Sequence, residues 1–133
     1  MQNQINKKLF IVDDDPFWTG ILLNMLTSIG CTDIETFNNG KDCINNMHLN
    51  PGTIFLDYQM EGLDGIEVLN QLKRHDSTTN VIFATAFEDL EIAMTALQNG
   101  SKDYILKTNV TISDLHRIVQ NNCATQSNLN VQY

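Results

Sequence analysis

Three carboxylates stand in a row at Asp13, Asp14 and Asp15, directly after the apolar run Leu9-Phe10-Ile11-Val12 and with no lysine or arginine beside them. Like charges about 4 Å apart repel by roughly 4 kcal/mol at an effective dielectric of about 20. Crowding of this kind needs a counter-charge, or a separate use for each acid. Other reactive side chains also close apolar runs: Asp57 after Thr53-Ile54-Phe55-Leu56, Thr85 after Val81-Ile82-Phe83-Ala84, and Lys107 after Tyr104-Ile105-Leu106. Converging carboxylates suit a hard divalent cation, and magnesium takes oxygen ligands in octahedral geometry while keeping several waters. Asp13 or Asp14, with Asp57, supplies the charged ligands in this reading, and a backbone carbonyl just after Asp57, that of Gln59, completes the protein's share. Asp15 has a different use as the N-cap of the helix that follows.

The same set can transfer a phosphoryl group. A metal and an ammonium neutralise charge on the transferred group, and a hydroxyl binds a remaining phosphate oxygen. An aspartate can be the acceptor, forming an acyl phosphate. Asp57 is the best acceptor because it stands alone at its strand end, whereas Asp13 and Asp14 have each other for metal binding.

The elements that must position these groups read as follows. Strands are predicted at Lys8 to Asp13, Asp33 to Phe37, Thr53 to Asp57, Asn80 to Thr85 and Tyr104 to Leu106. TIFLD is continuously apolar up to its acid, as expected of a strand buried on both faces. Helices are predicted at Pro16 to Ile29, closed by Gly30; at Gly40 to Met47, a weak one; and at Asp64 to Arg74, Asp89 to Gln98 and Ser113 to Asn121. Pro16 suits a first helical position, and Asn50-Pro51-Gly52 and Asn99-Gly100 read as turns. Strands alternating with helices imply an α/β fold, a doubly wound parallel sheet with helices on both faces. Such sheets bind ligands beyond the carboxyl ends of their strands. Asp13, Asp14, Asp57, Thr85 and Lys107 all fall at that edge.

Composition bounds the rest. The chain has 133 residues, 42% of them hydrophobic, which suits one compact domain. Sixteen acids against eight bases give a net charge of −8, which disfavours direct nucleic-acid binding because no basic patch can displace counterions. Cys31, Cys43 and Cys123 form neither a disulfide framework nor a CxxC pair. No apolar run approaches the roughly 20 residues of a membrane span, and the N-terminus lacks the apolar stretch of a signal peptide. A cytoplasmic protein without membrane attachment is expected. His48, His75 and His116 are scattered and read as surface residues.

The set IVDDDP, TIFLDYQMEGLDGIE, VIFATA and GSKDYILK closely resembles a response-regulator receiver domain of two-component signalling. The resemblance covers roughly residues 8 to 122, with residues 1–123 as the domain and 124–133 as a polar tail. It implies the flavodoxin-like strand order 2-1-3-4-5 and a phosphoryl group accepted on Asp57 from a histidine kinase or histidine phosphotransfer protein. It implies magnesium held by Asp13, Asp14, Asp57 and the Gln59 carbonyl, with Thr85 and Lys107 contacting the phosphoryl oxygens. Thr85 and Tyr104 would form the switch, and Gln59 and Phe87 would flank the attacking water and tune hydrolysis. Phe87 is bulky and apolar, so slowed dephosphorylation is expected. The face from Asp89 through Ser113, covering the last two helices and the strand between, would meet a downstream protein target. Dimerisation through that face is common in the family and leaves this chain's own oligomeric state open. Phe17 and Leu23, off the apolar stripe of Trp18, Leu22, Met25 and Ile29, are expected contacts for the phosphoryl donor.

Two prolines usual in the family are missing. Met60-Glu61-Gly62 stands where Met-Pro-Gly is common, and Lys107-Thr108 replaces a Lys-Pro pair whose bond is typically cis. A cis bond before a non-proline costs about 2.5–4 kcal/mol, so either a strained cis bond or a trans bond in a more mobile loop is expected. The chain ends without an output domain, so output in cis is not expected, whether the chain is a free-standing regulator, a phosphorelay shuttle or a fragment. The resemblance points to a phosphoacceptor rather than an enzyme, with at most slow self-dephosphorylation. The competing enzyme is an aspartyl-phosphate phosphohydrolase of the haloacid dehalogenase type, whose Asp-x-Asp signature Asp57-Tyr58-Gln59 lacks. A flavin binder would want a glycine- and hydroxyl-rich loop where the three acids stand.

Overall fold

The computed structural model describes residues 7–60, 62, 64–86 and 90–120. Five strands are present among them: β1 (Leu9–Val12), β2 (Ile34–Phe37), β3 (Thr53–Asp57), β4 (Asn80–Thr85) and β5 (Asp103–Leu106). All pair in parallel in the order β2-β1-β3-β4-β5, as the resemblance implied. The helices are α1 (Pro16–Ser28), α2 (Gly40–Ile44), α3 (Gly65–His75) and α4 (Leu90–Gln98), with α5 over residues 112–120. The starts of the fourth and the end of the fifth helix predicted from sequence, at Asp89 and Asn121, lie outside the described residues, as do Glu61, Phe87, Cys123 and the polar tail.

Strand side chains alternate between the two faces of the sheet, and each face builds its own core. Leu9, Ile11, Phe55, Ile82 and Ile105 pack with Trp18, Leu22 and Leu26 of α1 and with Leu115, Ile118 and Val119 of α5. Phe10, Val12, Ile54, Leu56, Val81 and Phe83 pack on the other face with Cys43, Val68, Leu69, Leu72 and Ala96. β1, β3 and β4 are therefore apolar at successive positions because both of their faces are covered. β2 lies at an edge and keeps Glu35 and Thr36 exposed.

Local chemistry sets the helix boundaries. The Asp15 carboxylate accepts a hydrogen bond from the Phe17 N–H at 3.0 Å, with Pro16 in the first turn. Gly30 follows α1 at φ 103°, a left-handed conformation that favours glycine. Asp64 lies just outside α3 and caps it through the Glu67 N–H at 3.0 Å. The weak second helix is shorter than predicted. α2 stops at Ile44, a 3₁₀ turn covers Met47–Leu49, and Asn50 at φ 57° ends it. Asn45 and Asn46 are poor helix formers that compete for backbone hydrogen bonds, and the Asn46 side chain does so, donating to the Asp42 carbonyl.

The buried stripe of α1 is Trp18, Leu22 and Leu26, whereas Met25 and Ile29 are only partly buried. The sequence reading gave Trp18, Leu22, Met25 and Ile29 as core contacts, and Met25 and Ile29 do pack against this core, but it missed Leu26. Phe17 is 76% exposed and Leu23 is also exposed, as expected.

Candidate functional site

Register explains how distant residues meet. Val12 pairs with Leu56, Asp57 with Ala84, and Thr85 with Leu106. Asp13 therefore follows β1 beside the end of β3, Thr85 ends β4 one step further along, and Lys107 leaves β5 another step on. The Lys107 N–H donates to the Thr85 carbonyl at 2.8 Å, which holds the start of that loop against β4. Among the described residues no peptide bond is cis, so the Lys107–Thr108 bond is trans.

Alternation also decides which face each group joins. Asp13, Asp57 and Lys107 have the parity of Ile11, Phe55 and Ile105, the α1/α5 side. Thr85 has the parity of Phe83, and Tyr104 packs with Phe83's cluster on the other side. The charged groups and the two expected switch residues thus start from opposite faces of one sheet edge.

Asp13 and Asp57 are buried, at 4% and 5% exposure, while Asp14 is exposed. Carboxylate oxygens of all three lie within 4.8 Å of one another. The Lys107 Nζ is 2.6 Å from Asp13 Oδ2 and 3.3 Å from Asp57 Oδ1. Asp13 Oδ1 accepts the Asp15 N–H at 2.9 Å, which shapes the acidic loop. The three consecutive acids thus divide their tasks: Asp13 pairs with Lys107, Asp14 faces solvent at the site, and Asp15 caps α1.

Burial pushes the Asp57 carboxyl up to about 6, with the Asp13 charge adding to it, while Lys107 and the Gln59 N–H work against the rise. Asp13 is also raised, chiefly by burial. Burial would lower Lys107, but its bond to Asp13 and the charges of Asp57 and Asp13 outweigh that and raise it. One ammonium therefore pairs with two of three clustered acids and leaves their repulsion only partly offset. Such a set of oxygen donors with surplus negative charge fits a small hard cation.

A hollow of about 420 Å³ opens beside the cluster and is lined by Asp14, Tyr58, Gln59, Met60 and Asp64. The Asp57–Tyr58 backbone beside it packs closely against Gly65. A Cβ there would come 2.8 Å from the Tyr58 Cα and 3.0 Å from the Asp57 carbonyl oxygen. Gln59 is exposed, and the contact it makes here is its N–H to the Asp57 carboxylate. Phe87 lies outside the described residues, so its expected place beside the site is not described.

One site neighbour escaped the sequence reading. Trp18 was read as a core contact of α1, and it is one, but the Lys107 Nζ also lies 5.7 Å from its ring centroid. The available signal was its position in the first turn after the acidic loop, where a large ring must lie near that loop's own edge of the sheet.

Comparison with known proteins agrees with this fold. A family model described as the response regulator receiver domain matches residues 9–120. The regulatory protein AtoC of Escherichia coli strain K12 is 30% identical over 126 residues, covering 92% of this chain and 26% of AtoC. The DNA-binding transcriptional regulator NtrC of Klebsiella pneumoniae is 36% identical over 100 residues, covering 74% of this chain and 21% of NtrC. The chain spans about a quarter or less of the length of these relatives. Among solved structures, the receiver domain of the Francisella response regulator 1452 superposes with a TM-score of 0.81 at 27% identity, covering 91% of this chain and 99% of that one. The BeF3-activated DrrB receiver domain superposes with a TM-score of 0.78 at 25% identity, covering 87% of this chain and 96% of that one.

Proposed function

The chain belongs to the response-regulator receiver family, the phosphoacceptor domains of two-component signalling, and from that premise we propose that Asp57 takes a phosphoryl group from a phosphohistidine on a histidine kinase or histidine phosphotransfer protein. The observation that carries this reading is the convergence on Asp57 of Lys107, Asp13 and Asp14 at one strand edge. In the transfer, one Asp57 carboxylate oxygen bonds to phosphorus as the phosphorus–nitrogen bond breaks, and the electron pair stays with the imidazole. Asp57 is held for attack by the Gln59 N–H and by Lys107. Lys107 is placed to turn from Asp13 toward a phosphoryl oxygen, adding positive charge where negative charge develops.

Asp13, Asp14, Asp57 and the Gln59 carbonyl would hold magnesium. The ion would neutralise charge on the phosphoryl oxygens and screen the three acids from one another. Thr85 would bond a further phosphoryl oxygen through its hydroxyl and draw the end of β4 inward. Tyr104, half-buried on Thr85's side of the sheet, would then turn in behind it. Loss of the phosphoryl group would be slow in this reading, in which the family resemblance assigns Gln59 and Phe87 to tuning hydrolysis.

The output would pass to a downstream protein target. Leu90, Met94 and Leu97 of α4 and Ile112 of α5 are exposed large apolar side chains, and this surface suits a protein partner or a second copy of the chain. Phe17 and Leu23, both exposed, would meet the phosphoryl donor. Among the described residues no helix is long and apolar enough to cross a membrane, and we place the chain with its donor in the cytoplasm.

The test is incubation with acetyl phosphate and magnesium followed by intact-mass measurement. A gain of one phosphoryl group, lost in Asp57→Asn, supports the reading. Sustained turnover of small phosphate esters would favour the phosphohydrolase instead.

A further inference from the structure

We propose that Trp18 is a positioning residue for Lys107, its indole face holding the ammonium at the acidic edge between Asp13 and Asp57. The inference rests on the phosphoacceptor reading of Asp57. Its starting point is the 5.7 Å separation of the Lys107 Nζ and the Trp18 ring centroid, within the roughly 6 Å over which a ring attracts a cation. Trp18 is only 7% exposed, so the attraction acts where water screens it poorly.

The ring is also well placed in the chain. Trp18 lies in the first turn of α1, whose start is pinned by the Asp15 cap and by the Asp13 Oδ1 bond to the Asp15 N–H. One short segment therefore carries both the acid nearest to Lys107 and the ring against it. Leu22 and Leu26 anchor the same helix face in the core.

Lys107 benefits from such support. Its backbone is tied to the Thr85 carbonyl, but a long, rotamer-rich stem separates that tie from the ammonium. Its two acids compete for it at 2.6 and 3.3 Å. Asp13 alone would hold the ammonium away from Asp57. The ring favours the cation without adding negative charge, so Lys107 can shift from Asp13 toward a phosphoryl oxygen while staying on one surface.

Trp18→Phe keeps a π face, whereas Trp18→Leu keeps only apolar bulk. Three quantities are read for each and for the wild type: the rate of phosphorylation by saturating acetyl phosphate with magnesium, the melting temperature, and the proton shifts of the Lys107 ε-methylene. In the wild type the ring should move those protons upfield. Trp18→Phe should keep much of that shift and a rate within about twofold of the wild type, and Trp18→Leu should lose the shift and slow about three- to tenfold. If Trp18→Leu fails to fold, Trp18→Met serves in its place.

A merely structural role predicts that rate follows melting temperature in both variants, and that result overturns the proposal. So does a wild-type Lys107 ε-methylene with no ring-current shift. Failure of the wild type to gain a phosphoryl group would instead remove the phosphoacceptor reading, and the ring-current measurement separates the two because it needs no phosphorylation.

Discussion

The Lys107 ammonium lies 2.6 Å from Asp13, closer than the 3.3 Å that separates it from Asp57. The lysine thus belongs first to Asp13 and only second to Asp57, the proposed acceptor. Removing it leaves two buried carboxylates facing each other. Lys107→Met should lower stability by about 2–4 kcal/mol in chelator near neutral pH, in line with the cost of stripping one partner from a buried pair. Magnesium should then raise the melting temperature more in the variant than in the wild type, since more repulsion remains to be relieved. Equal melting temperatures in chelator would show that Lys107 does not balance these acids.

The carboxylates themselves make stability depend on pH. Asp57 stands raised to about 6 from 3.8, mainly through burial, and Asp13 is raised as well. Between about pH 4 and 6 the folded state therefore binds more protons than the unfolded state, and stability falls as pH rises through that window. Asp57→Asn removes that penalty. In chelator it should raise stability by about 1–3 kcal/mol near pH 7.5, with the gain fading toward pH 4. Denaturant titrations across this range check the sign, and a variant less stable than wild type at the upper end would show that the Asp57 charge is not strained.

Asp15 separates capping from chemistry. Its carboxylate accepts the Phe17 N–H and is not part of the acidic cluster. Asp15→Ala should cost about 1 kcal/mol of stability, the usual value of a cap. Its phosphorylation rate by acetyl phosphate should stay within about threefold of the wild type. A loss approaching that of Asp57→Asn would mean that all three acids serve the site.

Gly65 lies against the backbone of Asp57 and Tyr58. A Cβ at this position meets the Tyr58 Cα at 2.8 Å, and backbone cannot move aside as a flexible side chain can. Gly65→Ala should therefore destabilise the fold by about 1–3 kcal/mol, as overpacking commonly does, and should slow phosphorylation through displacement of the β3–α3 loop. Unchanged stability and rate would show that the loop gives way freely.

Much of this was legible in the sequence because the signals were local. Leu9 to Val12, Thr53 to Asp57 and Asn80 to Thr85 are strands covered on both faces, so their apolar runs announce them without ambiguity. Their terminal acids and hydroxyl could then be assigned to one edge by the logic of parallel sheets. Boundaries were less legible where side chains bond their own backbone. Asp64 reads as helical by position but acts as a cap, and Asn46 shortens the second helix by bonding the Asp42 carbonyl. Least legible were the side-chain contacts across the strand edge. That Lys107, just after β5, rests nearer Asp13, just after β1, than Asp57, and lies close to Trp18, depends on side-chain placement that strand order alone does not fix.

The acceptor itself can be identified directly. An acyl phosphate on aspartate is reduced by borohydride, which leaves homoserine at the modified position. After acetyl phosphate and magnesium treatment, reduction and peptide mapping should find homoserine at position 57 and aspartate unchanged at 13 and 14. Homoserine at 13 or 14, or at none of the three in a protein that folds and binds magnesium, would contradict the assignment of Asp57 as the phosphoacceptor.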